Sequence, residues 1–225
     1  MNSHDSLKRR DFLAASGAFT VAAWAGGFSL SEARAADAPK GGIAQVLHEM
    51  EARGEKFLTV MPGEGRFLKM LVGATRAKNI LEIGTAEGYG TLWLAAGAAE
   101  TAGRITTMEI VPERVAKAKA NLAKAGAANR ISFHEGDAHE IAPKLDGPFD
   151  FVFLDADKDG QVDYFNKLFP KKLAPGAVIA AHNAITRADK MKDYLELMEK
   201  HPEFDAVIVS VVKEDGLSLV YRHRA

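Results

Sequence analysis

From Asn79 onward the chain alternates between two periods, and that alternation limits the folds open to it. Short apolar runs read as strands: NILEIG from Asn79, RITTMEI from Arg104, ISFHEGD from Ile131, FDFVFLDA from Phe149, AVIAAHN from Ala177, FDAVIVSVV from Phe204 and LSLVYRH from Leu217. Helical spacing separates them, over about 89–99, from Pro112 to Ala125, in a short piece after the third run, over 163–173 and over 188–200. Two further helical stretches, 43–60 and 64–76, come first, with Pro62-Gly63 read as the break between them. Strands that alternate with helices form a parallel sheet covered on both faces, and right-handed crossovers leave few ways to wind it. The last two runs are joined by KEDG, a hairpin-type turn, so one of them must run antiparallel. The expectation is an α/β, doubly wound sheet of seven strands, helices on both faces, with one reversed strand near an edge.

Composition narrows the function classes. The 225 residues are 47% hydrophobic and 26% charged, with a net charge of −1. This leaves no global attraction for nucleic acid or an anionic membrane, and no basic stripe is visible. With no cysteine, disulfides, thiolate nucleophiles and cysteine zinc sites are excluded. The first 36 residues differ from the rest: Lys8, Arg9 and Arg10 precede a mildly apolar run rich in Ala and Gly, which closes with Ala33-Arg34-Ala35. Arg9-Arg10-Asp11-Phe12-Leu13 resembles the core of a twin-arginine export signal. Residues 1–36 are therefore expected to be a signal and 37–225 the folded domain. The expected location is periplasmic or exported, cytoplasmic if the signal does not function, with no stable membrane span once the signal is cleaved.

In such sheets ligands bind at the carboxyl ends of the strands, near the switch in strand order. The first strand ends in EIGTAEGYG, where Gly84, Gly88 and Gly90 make a glycine-rich turn into a helix. That turn admits a close backbone approach and offers free N–H groups to a carboxylate or phosphate. The second strand ends in Glu109, an acid able to accept from both hydroxyls of a ribose. The pattern E-x-G-x-x-x-G-x-G does not match the dinucleotide fingerprint. Turn and acid together point to an adenosine-containing ligand; separately, each reads as a tight turn and a solvated strand end. Asp137 and Ala138, after the third strand, read equally as an adenine-edge contact or as the N-cap of a helix.

The fourth strand ends in Asp155 and the fifth in His182-Asn183. Neighbouring strands lie about 4.8 Å apart, so these three side chains are expected to converge on one metal ion. Lys158, one turn beyond Asp155, points towards the same space. The bland alternatives are a helix-capping Asp155, a surface His182 and a solvated Lys158.

From EGRFLKMLVGATRAKNILEIGTAEGYGTLWLA through TMEI, EGDA, FDFVFLDADKDGQVDYF and APGAVIAAHN to DGLSLVYRHR, the sequence resembles the class I S-adenosylmethionine-dependent O-methyltransferases. Within these it is similar to the group that includes caffeoyl-CoA and catechol O-methyltransferases. The resemblance spans residues 55–224 and is most specific in D-A-D-K after an apolar strand. It implies a Rossmann-like domain that moves a methyl group from S-adenosylmethionine to a hydroxyl of a small aromatic, catechol-like acceptor, with metal assistance and a homodimer. Glu82, Gly84, Thr85 and Tyr89 would form the methionine side of the cofactor pocket, with Val60 and Gly90 beside them. Glu109 would hold the ribose, Asp137 and Ala138 would flank the adenine, Asp155 would touch both cofactor and metal, and Lys158 would be the general base. The chain departs from the family pattern in three places. His182 stands where the family has an aspartate, which weakens a site for Mg²⁺ or Ca²⁺ and leaves Mn²⁺, Fe²⁺, Zn²⁺ or no metal. Gly90 stands where a serine is common. AITR after Asn183 lacks the acceptor-contacting pattern. Two rivals remain: a tRNA hydroxyuridine methyltransferase, and an exported cofactor-binding protein that no longer turns over.

Overall fold

The computed structural model describes residues 42–54, 59–213 and 215–224. The signal-like segment 1–36 lies outside the described residues. In chain order the elements are α1 (Gly42–Ala52), α2 (Pro62–Thr75), β1 (Asn79–Ile83), α3 (Tyr89–Thr101), β2 (Arg104–Glu109), α4 (Pro112–Lys124), β3 (Ile131–Glu135), α5 (Ala138–Ile141), β4 (Phe149–Leu154), α6 (Gln161–Leu168), β5 (Leu173–Ala181), α7 (Lys192–Lys200), β6 (Phe204–Val209) and β7 (Leu217–Arg222). The strands form one sheet in the order β3-β2-β1-β4-β5-β7-β6. All neighbours are parallel except β7, which is antiparallel to both β5 and β6. The expected reversed strand is thus present, one position in from the edge.

Strand residues alternate between the two covered faces, as a period of two requires. Ile80, Phe151 and Phe153 pack under α1, α2 and α3, while Leu81, Ile83, Val152 and Leu154 pack against α6 and α7. Both faces are apolar because both carry helices. Among the described residues no helix is long and apolar enough to cross a membrane.

Four local expectations need correction. The first helix ends at Ala52, not 60, and Pro62 opens α2 at its first turn instead of breaking a helix. Proline there gives up an N–H that would have no partner. The helix read over 163–173 ends at Leu168, and Leu173-Ala174-Pro175-Gly176 already belongs to β5. The last helix starts at Lys192; the residues from Asn183 to Met191 form turns.

Candidate active site

The strand order reverses at β1, whose chain leaves towards β2 on one side while β4 pairs on the other. Register then carries three residues to the same edge. Ile83 pairs with Leu154 and Leu154 with Ala181, so Gly84, Asp155 and His182 follow one another across the sheet. Asp155 N–H donates to Ile83 O (2.8 Å), and His182 N–H to Leu154 O (2.9 Å). Gly84 has φ +98°, and a Cβ there would lie 2.7 Å from the carbonyl carbon of Asp155. Only glycine lets β1 turn this close to the end of β4.

A cavity of about 630 Å³ opens at this edge, within the range that holds small ligands. Of the residues singled out from sequence, Gly84, Glu109, Asp137, Ala138, Asp155, Lys158 and Asn183 line it. Glu109 is 6% exposed. Its Oε2 accepts from Ala86 N–H (2.8 Å), and its Oε1 from Ile110 and Val111 N–H (3.1 and 3.0 Å). The carboxylate is thereby set before any ligand arrives. Asp137 has both of its expected characters: its Oδ1 accepts from His139 N–H (2.8 Å) to cap α5, and the residue lines the cavity. Tyr164 stacks on His139 with ring centroids 4.2 Å apart, and its hydroxyl donates to Asp157. Both rings face the cavity.

Val60, Glu82, Thr85, Tyr89, Gly90 and His182 are not part of that lining. Glu82 is fully buried; its Oε2 accepts from the hydroxyls of Thr91 and Thr107, and its Oε1 has no partner. Burial pushes its carboxyl up to about 7, against the pull of the Thr107 and Thr91 bonds. A Cβ at Gly90 would lie 3.0 Å from Glu82 Oε1 and 3.7 Å from Val60. Thr85 bonds Thr107 through their hydroxyls, 2.5 Å apart. Tyr89 donates to Glu51 (2.7 Å) and borders a smaller cavity that shares Thr59, Ala86 and Arg114 with the larger one.

At the β4–β5 end the side chains form a ladder of alternating charge. Lys158 Nζ lies 3.1 Å from Asp155 Oδ1, with side chains 11% and 7% exposed. The same Oδ1 lies 2.9 Å from His182 Nδ1, and His182 Nε2 lies 3.1 Å from Glu64 Oε2. Glu64, wholly buried, also accepts Met61 N–H at the start of α2 (3.0 Å). Burial opposes a charge on His182, but Asp155 and then Glu64 outweigh it and raise the imidazole to about 9. Asn183 is next in the chain, and its Nδ2 donates to Asp215 Oδ2 (2.6 Å). Asp215 also accepts from the hydroxyl and N–H of Thr186 (2.7 and 3.2 Å) and from Gly216 N–H (2.7 Å). Although burial works the other way, these bonds hold its carboxyl down at about 2.

Asp155 and His182 therefore meet, while Asn183 pairs with Asp215. Among the described residues, Glu64, His182 and Asp215 each offer one ligand atom within 4.8 Å of the others. Sequence reasoning missed both acids. Glu64 carried a signal, an acid at the third helical position after a proline, hidden by reading Pro62-Gly63 as a break. Asp215 carried none beyond its place in a turn. It reaches this edge because β7 is antiparallel, so its start lies beside the ends of the parallel strands. Arg187, also on the cavity wall, comes from the turns after Asn183.

Residues 40–222 match the family model described as "O-methyltransferase". The catechol O-methyltransferase of Mycobacterium tuberculosis is 36% identical over 187 residues, 77% of this chain and 84% of that protein. Caffeoyl-CoA O-methyltransferase 1 of Eucalyptus globulus is 36% identical over 145 residues, 62% of this chain and 58% of that protein, so the chain spans little more than half of it. The crystal structure of the O-methyltransferase from Bacillus cereus in complex with SAH superposes with a TM-score of 0.71 at 30% identity, covering 80% of this chain and 90% of that one.

Proposed function

This chain belongs to the O-methyltransferase family, and from that premise we propose that it transfers a methyl group from S-adenosylmethionine to a hydroxyl of a small, catechol-like aromatic acceptor. The observation that carries the reading is Lys158 on the wall of the cavity that Gly84 and Glu109 also line, held by Asp155.

The residues present fit the cofactor. Glu109, set by three backbone N–H groups, would accept from the ribose hydroxyls through its remaining lone pairs. Gly84 leaves room for close approach, and Asp137 and Ala138, on the same cavity wall, would border the adenine. S-adenosylmethionine, when bound, supplies a methyl group on a sulfonium leaving group. Lys158 Nζ, in its neutral form, would take the proton from the acceptor hydroxyl, and Asp155 orients that nitrogen. With cofactor and acceptor both bound in this cavity, alignment of the reacting atoms would supply much of the remaining acceleration.

The residues present do not fit a divalent cation. Both ring nitrogens of His182 face carboxylates, and Asp155 Oδ1 already meets Lys158 and His182. No step is therefore routed through a metal.

The test is methyl transfer from S-adenosylmethionine to a dihydroxybenzene by the purified chain. Transfer that falls about 10²–10⁴-fold in Lys158→Ala, with cofactor binding retained, supports the base role; full activity in that variant removes it. Cofactor binding with no transfer to any hydroxyl favours an exported binding protein. For location, Arg9-Arg10 before Phe12-Leu13 supports export of the folded, cofactor-loaded chain. Replacing both arginines by lysine is expected to leave the protein in the cytosolic fraction, and an unchanged distribution would refute the export reading.

A further inference from the structure

His182 sits at the end of β5, beside Asp155 at the end of β4, and it is 3% exposed. A metal ligand needs a free nitrogen lone pair. Nδ1 is 2.9 Å from Asp155 and Nε2 is 3.1 Å from Glu64. With both acids ionised, both nitrogens donate. With Glu64 neutral, Nε2 accepts from it and Nδ1 still donates to Asp155. Neither arrangement leaves a lone pair for a cation.

Glu64 Oε1 is buried without a partner, but a single oxygen is not a ligand set. Asp215 offers the nearest further carboxylate, but its Oδ2 accepts from Asn183 and Thr186, and its Oδ1 from the N–H groups of Gly216 and Thr186. These contacts tie the turns after β5 to the start of β7. Lys158 places a cation on the open side of Asp155. The ladder Lys158–Asp155–His182–Glu64 thus alternates positive and negative groups across the space where a divalent ion would otherwise screen the acids.

We propose that this ladder occupies the place of a divalent cation, and that methyl transfer by this chain is metal-independent. The second half rests on the methyltransferase reading above; the first half does not. Glu64 is the positioning residue of the device: it is not part of the cavity lining and holds the far nitrogen of His182.

The experiment is titration calorimetry of the full chain with Mn²⁺ and then Mg²⁺, in the presence of S-adenosylhomocysteine, alongside transfer assays with and without a chelator. No saturable metal binding at millimolar ion, with transfer unchanged by chelator within about twofold, is the expected result. A stoichiometric site of micromolar affinity, or transfer lost to chelator and restored by Mn²⁺, overturns the proposal. The two readings fail separately: absence of both metal binding and transfer sinks the enzyme and leaves the ladder, whereas Mn²⁺-dependent transfer does the reverse. In His182→Asp a fourth carboxylate joins Asp155, Glu64 and Asp215. Mn²⁺ is expected to raise the melting temperature of this variant by about 3 °C or more and to leave the parent unmoved. A variant that is folded yet indifferent to Mn²⁺ would show that His182 is not what excludes the ion. Should that variant not fold, calorimetry on the parent chain decides alone.

Discussion

His182 is held between Asp155 and Glu64 in a site almost closed to water, and a charge kept there by its neighbours must register in stability. Its folded value of about 9 lies above its ordinary 6.5. The stabilisation is therefore complete below about pH 6.5 and is lost as pH rises through 9. A shift of this size corresponds to about 3 kcal/mol. Urea unfolding at pH 6.5 and 9.5 is expected to show a decline of that order, and His182→Gln is expected to flatten it. An equally steep decline in the variant would assign the effect elsewhere. Glu82 acts mainly at lower pH: its raised value near 7 costs stability that builds as pH rises from about 4.5 to 7 and is fully present above that. Asp155, His182, Glu109 and Lys158 were legible as single residues, because each ends, or closely follows, an apolar run. The partners that set their chemistry were not legible. Glu64 lies 118 positions from His182 in the chain, and no local pattern links them.

Among the elements, β1 and its turn decide how the others meet. Gly84 lets the end of β1 pass against the backbone of Asp155, which sets the floor of the cavity. Gly84→Ala adds a methyl group at positive φ, 2.7 Å from backbone atoms that cannot move without shifting β4. A loss of at least about 2 kcal/mol in urea unfolding is expected, together with weakened S-adenosylhomocysteine binding. A variant of parental stability and affinity would show that this approach is not needed. Helix α2 approaches α3 closely in the same way. Gly97 leaves no room for a Cβ, which would lie 2.8 Å from Val72 and 2.9 Å from Lys69 O. That contact seats α2, and its first turn carries Glu64 to His182. Strand positions were readable from short, nearly continuous apolar runs; helix ends were read less well, because Pro62 was taken for a break and Leu173 for helix.

Across the whole molecule, the cavity spans the ends of β1, β2 and β4 and reaches the turns after β3 and β5, so a ligand that fills it ties both halves of the sheet together. Linkage then requires stabilisation: S-adenosylhomocysteine at a hundredfold its Kd adds about 2.7 kcal/mol. Differential scanning is expected to show a rise of about 5–10 °C, and no rise would mean that the cavity is not the cofactor site. The alternation of strands and helices, determined by sequence alone, was enough for the parallel sheet, its covered faces, the reversed strand and the edge where chemistry collects. Those follow from periodicity, which acts between near neighbours in the chain. Only the tertiary structure decided that Asn183 turns to Asp215, that Glu64 closes the ladder and that His182 has no nitrogen free. These depend on register between strands and on the seating of α2, contacts between residues that no stretch of sequence brings together.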